Sequence, residues 1–407
     1  MSYNLKKLYF LFEIIINLSL FIFGNNQEQK SFNNVLFPTT LTLLNQNIVM
    51  VQSDGIHFYT SELVEDTSKT ITFENKISNI EENEKVSMAQ FSEKDKGYIM
   101  ILTNETMYFF ESDGTIINIT NLKDSIFGSH YCLIPFKKEN NYLYYLISYQ
   151  SIGSLTIKQF KFNINYHVNE IIMSNDYIVY NQYHKPNLAI PNKIIGINCI
   201  FLSTSTINND ILTCFYAIYY PTEIHAMSFD PYNNFTELTE LFSYYYKGEN
   251  FPLIYYISAI TNQDKQKALV FGVSENSFWM TFSFEESFSE HKQIFNDSSL
   301  SLALIYHKTK IYYFRQTHEF LFSSSVELCK NYVMIFNNNF TIKNQGYSSP
   351  NSCYNCYYHS AFFDGTYYNI VNDNGNIDNP KIYVLPIIDF GISSSIESLI
   401  IQIMVVQ

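Results

Sequence analysis

The sequence predicts an all-β fold, and three observations support this prediction. Tyrosine and phenylalanine are abundant, with 34 and 35 copies in 407 residues, and aromatic side chains favour strands over helices. Short apolar runs of strand length alternate with turn residues along most of the chain. No amphipathic stretch with helical periodicity exceeds about two turns. The alternation of strands and helices that α/β folds require therefore has little support.

The first predicted elements are a hairpin that occurs twice, with the copies 50 residues apart. Residues 48–61 read IVMVQSDGIHFYTS and residues 98–111 read YIMILTNETMYFFE, and they align without a gap. Each copy predicts a strand, a tight turn and a second strand. Asp54-Gly55 marks the first turn and Asn104-Glu105 the second. An Asp-Gly pair between strand-forming runs predicts a turn whose residues both tolerate positive φ.

Further hairpin units keep this pattern of strand, turn and strand, although their sequences differ from those of the first two. Together with the first two, they begin with apolar strands at Ile48, Tyr98, Tyr142, Ile211, Lys267, Glu319 and Thr366. These positions are separated by 50, 44, 69, 56, 52 and 47 residues, and each strand is followed by a second one. Hairpin units of this length are typical of propeller blades, so the sequence predicts a seven-bladed β-propeller with four strands per blade. Six or eight blades, and tandem β-sandwiches, remain alternatives.

The chain divides into a predicted linker, one large domain and a tail. Residues 25–35 are a polar linker, residues 36–392 the propeller domain, and residues 393–407 an apolar tail of unknown role. The tail is too short to cross a bilayer, which takes about 20 residues. We expect the strand at 36–44 to close the ring by pairing near 383–388, because this leaves no free sheet edge. Residues 181–193 contain two prolines and predict an inserted loop.

The N-terminus predicts a signal peptide over residues 1–24. Lys6 and Lys7 precede an apolar run that ends at Gly24, and a polar segment follows. An uncleaved signal anchor is the alternative, because Ile22 at the third position before the cut is not small. A charged Glu13 inside the run argues against a permanent span. The protein is therefore expected to be secreted or on the extracellular face of the cell, with membrane association only if the signal stays or the chain continues.

Five N-x-S/T sequons agree with secretion. The candidate glycosylation sites are Asn104, Asn118, Asn234, Asn296 and Asn339. Four of them have turn-like surroundings, whereas Asn118 lies in a strand-like segment and is the weakest acceptor. An asparagine-rich chain also produces such triplets by chance.

Six cysteines permit three disulfide bridges in an extracellular chain. The candidates are Cys132, Cys199, Cys214, Cys329, Cys353 and Cys356. Cys199 with Cys214 is the favoured pair, because INCIFLS and ILTCFYA read as neighbouring antiparallel strands. Cys353 and Cys356 lie near His359, but a second ligand pair for zinc is missing. Bridges to Cys329 or Cys132 are the simpler interpretation.

The periodicity of residues 36–390 resembles that of secreted or cell-surface β-propeller proteins. Kelch, WD and sialidase signatures are absent, and the triplets 53–55 and 112–114, both Ser-Asp-Gly, lack the rest of an aspartate box. The resemblance implies the architecture and a role in binding, and no site residue is transferred from it.

Motifs for chemistry are scarce. The net charge of −13 argues against a nucleic-acid partner. No nucleophile-elbow, zinc-protease or phosphate-loop motif occurs, so no catalytic, cofactor-binding or metal-binding residue is predicted. His57 is interpreted as structural, and the acidic loop at 372–378 as a hairpin turn rather than a calcium loop.

The expected function is therefore binding of a protein or carbohydrate at a propeller face, and the sequence leaves enzymatic activity open. Tyr244-Tyr245-Tyr246 and Tyr357-Tyr358 are candidate contact residues, with strand packing as the simpler alternative. An extracellular glycosidase or sialidase is a second possibility and needs carboxylates converging from different blades. A third is the first domain of a larger structural or adhesion protein.

Overall fold

The computed structural model describes most of the predicted strands and many of their connections. The described residues are 32–33, 39–42, 47–52, 54–60, 64–74, 86–93, 96–103, 106–122, 129–139, 142–151, 154–163, 168–178, 194–204, 209–218, 223–238, 242–245, 256–273, 277–289, 292–293, 310–314, 319–327, 330–348, 356–363, 367–373 and 381–386. The predicted signal peptide, the loop at 181–193 and the tail at 393–407 lie outside them. No helix able to cross a membrane occurs within these ranges.

The described residues form seven antiparallel sheets, which follow one another along the chain. The first sheet contains β2 (Thr39–Thr42), β3 (Ile48–Val51), β4 (Gly55–Tyr59) and β5 (Ile71–Thr72). The second contains β6 (Ser87–Glu93), β7 (Lys96–Thr103), β8 (Thr106–Glu111) and β9 (Ile116–Asn121). The third contains β10 (Ser129–Glu139), β11 (Tyr142–Ser151), β12 (Ser154–Asn163) and β13 (Val168–Ile178).

The fourth and fifth sheets each carry an additional strand. The fourth contains β14 (Ile194–Leu202), β15 (Ile211–Ile218), β16 (Glu223–Asp230) and β17 (Thr236–Glu237), and β18 (Phe242–Tyr245) also pairs with β16. The fifth contains β19 (Tyr256–Thr261), β20 (Ala268–Val273), β21 (Ser277–Ser283) and β22 (Ser287–Phe288), and β23 (Lys292–Gln293) also pairs with β21.

The last two sheets complete the series. The sixth contains β24 (Lys310–Phe314), β25 (Glu319–Glu327), β26 (Lys330–Phe336) and β27 (Ile342–Ser348). The seventh contains β28 (Cys356–Phe363), β29 (Tyr367–Asp373), β30 (Lys381–Pro386) and β1 (Phe32–Asn33). All paired strands in the described ranges are antiparallel and no helix occurs among them, so the all-β prediction is confirmed.

Each predicted hairpin forms the second and third strands of one sheet. In the first five sheets the described side chains of these strands are mostly buried on both faces, which explains why their sequences are continuous apolar runs rather than alternating ones. In β11, for example, Tyr145 packs toward the second sheet and Leu146 toward the fourth. The hairpin predictions are therefore confirmed.

The conformation of the first turn differs from the prediction. Gly55 does not occupy a positive φ but begins β4, and the Gln52 amide donates to its carbonyl over 2.8 Å. A Cβ atom at this position would lie 2.1 Å from the carbonyl oxygen of Ile71. Glycine is required here because β5 approaches the backbone of β4 closely.

The predicted pairing of residues 36–44 with residues 383–388 is wrong. β2 lies within 36–44 and pairs instead with β3, with Thr39 opposite Val51. A short antiparallel connection closes at a small entropic cost, which favours the neighbouring strand in sequence. The strand that joins the C-terminal sheet is β1, which lies inside the predicted linker and places Phe32 opposite Ile382.

Neighbouring sheets share hydrophobic cores. Separate clusters join the first sheet to the second, the second to the third, the third to the fourth, the fourth to the fifth and the fifth to the sixth. β28 of the seventh sheet lies beside β24 and β25 of the sixth and beside β2 of the first. The first six sheets are therefore joined in series by apolar contacts.

Candidate functional site

The border between the third and fourth sheets carries two groups of candidate functional side chains. One lies at the end of the border near the β16–β17 turn, and the other lies near the start of β16. We call the first group the aromatic–lysine surface and define it as Phe136, Lys137, Tyr142, Tyr144, Lys161 and Tyr232. We call the second the polar line and define it as Glu223, His225 and Ser243.

Phe136 is the centre of the aromatic–lysine surface. Its ring centroid lies 5.4 Å from that of Tyr232, 5.7 Å from that of Phe201 and 6.2 Å from that of Phe235. Phe235 is 2% exposed, whereas Tyr232 is 53% exposed. The buried rings therefore anchor a cluster whose outermost ring faces solvent.

A β-bulge places Lys137 beside this cluster. The register between β10 and β11 shifts between Pro135 and Lys137, so that Lys137 is opposite Tyr144 and Phe136 is the extra residue of the bulge. The Lys137 ammonium lies 5.7 Å from the Phe136 ring centroid and 4.8 Å from that of Tyr144. A regular ladder would have directed one of these two side chains to the other face.

A second lysine lies over a second ring on the adjacent strand. Lys161 of β12 is opposite Tyr144 in the register, and its ammonium lies 4.0 Å from the ring centroid of Tyr142. Both lysines and both tyrosines are half-buried. Cation–π attraction fixes the ammonium groups while leaving part of each group and ring accessible. The surface thus combines apolar ring faces with cationic hydrogen-bond donors.

The turn between β16 and β17 holds Tyr232 in place. The carboxylate of Asp230 accepts a hydrogen bond from the Tyr232 amide over 2.9 Å, and the Asn233 carbonyl accepts one from the Thr236 amide over 3.0 Å. Phe235 has a φ of 53° and inserts into the core between the sheets. Tyr232 is therefore presented by an anchored turn.

The polar line runs across two paired strands. His225 of β16 is opposite Ser243 of β18, and Glu223 lies two residues before His225 on the same face. Nδ1 of His225 lies 2.9 Å from the Ser243 hydroxyl, and Nε2 lies 2.8 Å from Oε2 of Glu223. The His225 and Glu223 side chains are 6% and 3% exposed, whereas Ser243 is exposed.

Tyr216 of β15 completes the surroundings of His225. The two rings are stacked, with centroids 5.3 Å apart and planes inclined by 14°. Burial lowers the pKa of His225, although the Glu223 carboxylate opposes this shift. Among the described residues, three buried atoms here lack a well-aligned hydrogen bond, namely Tyr216 Oη, Glu223 Oε1 and His225 Nε2. The contact of Nε2 with Glu223 is thus close in distance but not aligned as a hydrogen bond.

One predicted disulfide is present. Cys199 and Cys214 are opposite each other on β14 and β15 and form a bridge with an S–S distance of 2.14 Å. Cys356 begins β28, while Cys329 and Cys353 lie outside the described residues. The predicted pairing of these cysteines stays a prediction.

Cys132 carries a free thiol next to this bridge. Its sulfur lies 3.4 Å from both the amide nitrogen and the carbonyl oxygen of Cys199. Burial raises the pKa of Cys132 to about 11, although hydrogen bonds with Cys199 and Ser148 lower this pKa in part. The thiol is therefore protonated and shielded in the folded protein.

Three of the sequon asparagines can be located. Asn234 and Asn339 are exposed in the turns that precede β17 and β27. Asn118 lies in β9, is half-buried, and its amide donates to Thr120 over 3.1 Å. Asn104 and Asn296 lie outside the described residues.

His57 and the two tyrosine runs can now be placed in the structure, as far as they are described. His57 contacts Glu65 over 2.7 Å and Asp54 over 3.2 Å, and no group of metal-ligating side chains is found among the described residues. Tyr244 packs against the core between the fourth and fifth sheets. Tyr357 and Tyr358 lie in β28 and Tyr245 in β18, whereas Tyr246 is outside the described ranges.

Neither candidate group was found from the sequence. The letters Glu-Ile-His at the start of β16 place Glu223 and His225 on one face, which is a usable signal. Ser243 could not be assigned, because β18 reaches β16 only after the intervening β17.

Comparisons with known proteins give structural likenesses alone. No protein-family model matches the chain, and no curated protein matches it. The chain resembles the six-bladed β-propeller lectin of Aleuria aurantia, described with its fucose recognition mode, with a TM-score of 0.45, 8% identity, and coverage of 79% of this chain and 96% of that one. It resembles a mutant of AofleA from Arthrobotrys oligospora, with a TM-score of 0.46, 10% identity, and coverage of 79% and 91%. It also resembles the β-propeller domain of Nup133 from Vanderwaltozyma polyspora, with a TM-score of 0.44, 11% identity, and coverage of 88% and 99%.

Proposed function

We propose that the protein is a secreted carbohydrate-binding module that contacts its ligand through the aromatic–lysine surface. The observation that carries this proposal is the meeting of exposed and half-buried rings with two lysine ammonium groups at one border between sheets. The C–H groups on one face of a sugar ring pack on aromatic rings, and its hydroxyl or carboxyl oxygens accept hydrogen bonds from ammonium groups. The surface offers both kinds of partner.

We further propose that the sheets form a closed seven-bladed ring. The order of the sheets, the contacts of the seventh sheet with the sixth and the first, and the pairing of β1 with β30 support it. Small-angle scattering tests this arrangement, because a compact chain of this length has a radius of gyration of about 21 Å. Tandem sandwiches are more elongated and would give a clearly larger value.

Glycan-array screening followed by titration calorimetry tests the binding function. We expect Tyr232→Ala to weaken binding by about tenfold or more, because exposed aromatic rings are frequent binding hot spots. Lys161→Met retains the aliphatic stem but removes the charge, and it should weaken binding of ligands with a carboxylate most. Val64→Ala is the matched control, since Val64 is 57% exposed and precedes β5 as Tyr232 precedes β17.

Two results would contradict the carbohydrate proposal. One is the absence of any glycan ligand for the folded wild-type protein. The other is an equal loss of affinity in Tyr232→Ala and Val64→Ala, because the surface would then have no particular role. Binding of a protein ligand with the same dependence on Tyr232 would assign the surface to protein recognition instead.

Secretion is tested by expression of the full chain in a eukaryotic secretory cell. We expect the secreted protein to begin after Gly24, and glycosidase treatment to reduce its mass. Asn234→Gln and Asn339→Gln should each remove one glycan, because both asparagines are exposed in turns. Retention of the first 24 residues on a membrane-bound protein would support the signal anchor instead.

A further inference from the structure

We propose that Ser243 is a nucleophile for acyl transfer from esters, with His225 as its general base and Glu223 as the group that orients the histidine. This activity is separate from carbohydrate binding and uses none of the residues of the aromatic–lysine surface. The proposal depends on the geometry of the polar line, the contrast in burial along it, and the unpartnered polar atoms around it.

The geometry brings both partners of an activated serine within reach, although the contact between Nε2 of His225 and Glu223 is close in distance without being aligned as a hydrogen bond. The Ser243 hydroxyl lies 2.9 Å from Nδ1 of His225, and Nε2 of His225 lies 2.8 Å from the Glu223 carboxylate. A carboxylate only accepts hydrogen bonds, so it favours the tautomer with the proton on Nε2. Nδ1 is then left with a lone pair that accepts the proton of Ser243.

The strands fix this arrangement. β16 and β18 pair in register from Glu223 opposite Tyr245 to Ala226 opposite Phe242. His225 and Ser243 are direct cross-strand neighbours, and the stacked ring of Tyr216 limits rotation of the imidazole. The catalytic contacts are therefore positioned by the sheet itself.

Burial decreases along the polar line, from Glu223 and His225 to Ser243. The side chains of Glu223 and His225 are 3% and 6% exposed, so water competes little for their polar atoms. Ser243 is exposed and can meet a substrate in solution. Because burial lowers the pKa of His225, its imidazole is neutral at pH 7 and can accept a proton.

The buried polar atoms without hydrogen-bond partners favour a catalytic site over a purely structural cluster. Glu223 Oε1, Tyr216 Oη and His225 Nε2 are buried and have no aligned hydrogen-bond partner among the described residues. Unsatisfied buried polar groups reduce stability, so each requires an explanation such as a catalytic role or a bound water. Burial, with the nearby Glu237 and Glu223 carboxylates, raises the pKa of Tyr216, so its hydroxyl keeps its proton.

The reaction consumes one water molecule and needs no redox partner. Ser243 Oγ bonds to the acyl carbon of an ester while its proton passes to Nδ1 of His225. The ester C–O bond then breaks, and the departing alkoxide takes that proton to become an alcohol. Water, deprotonated by His225, attacks the acyl-serine, the bond to Oγ breaks, and Ser243 regains the proton. The products are an alcohol and a carboxylic acid.

A fluorophosphonate probe tests the nucleophile directly. Attack of Ser243 on phosphorus breaks the P–F bond, releases fluoride and leaves a stable phosphonate ester on Oγ. We expect peptide mass spectrometry of the full, folded chain to locate the label at Ser243. Ser68 is the matched control, because it is also exposed but its hydroxyl donates to the Asp66 carboxylate instead of contacting a histidine.

Variants separate a reactive serine from a merely hydrogen-bonded one. Ser243→Ala should abolish labelling, whereas Ser68→Ala should leave it unchanged. His225→Gln should slow labelling by roughly 10²-fold or more, the usual contribution of a general base. Labelling of the wild type should slow as the pH is lowered below 6.5, the ordinary pKa of histidine, and His225→Gln should lose this dependence.

The wild-type experiment alone can overturn the proposal. If the folded protein is not labelled at Ser243, or if Ser68 reacts equally fast, Ser243 is not activated. Release of p-nitrophenol from p-nitrophenyl acetate gives a second readout, which should be lost in Ser243→Ala and retained in Ser68→Ala. Retained hydrolysis in Ser243→Ala would contradict the assignment of the nucleophile.

Discussion

His225 connects the chemistry of the polar line to the stability of the fold. In the unfolded chain a histidine binds a proton with its ordinary pKa of 6.5, whereas burial lowers the pKa of His225 in the folded protein. Between these two values the unfolded state binds more protons. The free energy of unfolding must therefore rise with pH across this range.

We predict that stability falls when the pH is lowered from 7 to 5.5, and that His225→Gln reduces this loss. Urea denaturation at several pH values measures both effects. Carboxylates such as Glu65, whose pKa is lowered by a hydrogen bond from His57 although burial opposes it, contribute at lower pH. The same pH dependence in His225→Gln and wild type would show that His225 does not contribute.

Individual residues differed in how far the sequence predicted their role. The bridge between Cys199 and Cys214 was predictable, because each cysteine lies in an apolar strand and a short polar segment joins the two. The bulge that brings Phe136 and Lys137 to one face was not predictable, because a shift in register leaves no recognisable sequence pattern. Side-chain positions that depend on such irregularities require the structure.

At the scale of elements, the turns between the third and fourth strands of several sheets share one backbone feature, a residue with a positive φ. In three of the described connections a residue there has a positive φ, namely Gly114 at 92°, Phe235 at 53° and Phe340 at 62°, and Ser287 at 60° begins the fourth strand β22 of the fifth sheet. Phe235 and Phe340 are both buried and both follow an exposed sequon asparagine. The turn thus combines backbone strain with an apolar anchor, because the ring compensates for the unfavourable φ.

This combination predicts an unusual order of stability among variants of Phe340. Phe340→Ala should reduce the free energy of unfolding by about 3 kcal/mol through loss of the buried ring. Phe340→Gly loses the same ring but relieves the positive φ, so it should be at least as stable as Phe340→Ala. Urea denaturation of the two variants measures the difference.

Phe336 provides the matched control for this prediction. It lies in β26, is fully buried and belongs to the same core as Phe340, and it is not among the residues with positive φ. Phe336→Gly should be less stable than Phe336→Ala, as is usual within a strand. The same order at both positions would mean that strain at Phe340 is unimportant.

Buried strands were easier to predict from the sequence than exposed ones. The paired central strands, such as β15 and β16, are buried on both faces and produce long apolar runs. The fourth strands β5, β17 and β22 contain two residues each and are partly or fully exposed. Strands this short have no periodicity, so the sequence predicts the hairpins but not the outer strands of most sheets.

At the scale of the whole molecule, the pairing of β1 with β30 is expected to stabilise the seventh sheet. We predict that a chain starting at Asn34, fused to residues 1–24, has a lower denaturation midpoint than the full chain, because β30 then has an open edge. A chain starting at Ser31 keeps Phe32 and Asn33 and is the matched control. Equal midpoints for both truncations would show that β1 does not stabilise the seventh sheet.

The pairing of β1 with β30 also has a consequence for how the protein is made. Synthesis proceeds from the N-terminus, so Phe32 leaves the ribosome early and its partner Ile382 leaves late. The first six sheets use strands that are close in sequence and can fold during synthesis, since domains and local contacts form as the chain emerges. The seventh sheet can be completed only after its last strand has been released, and until then β1 is available to pair with other chains. Chaperones would therefore be needed most at this final step.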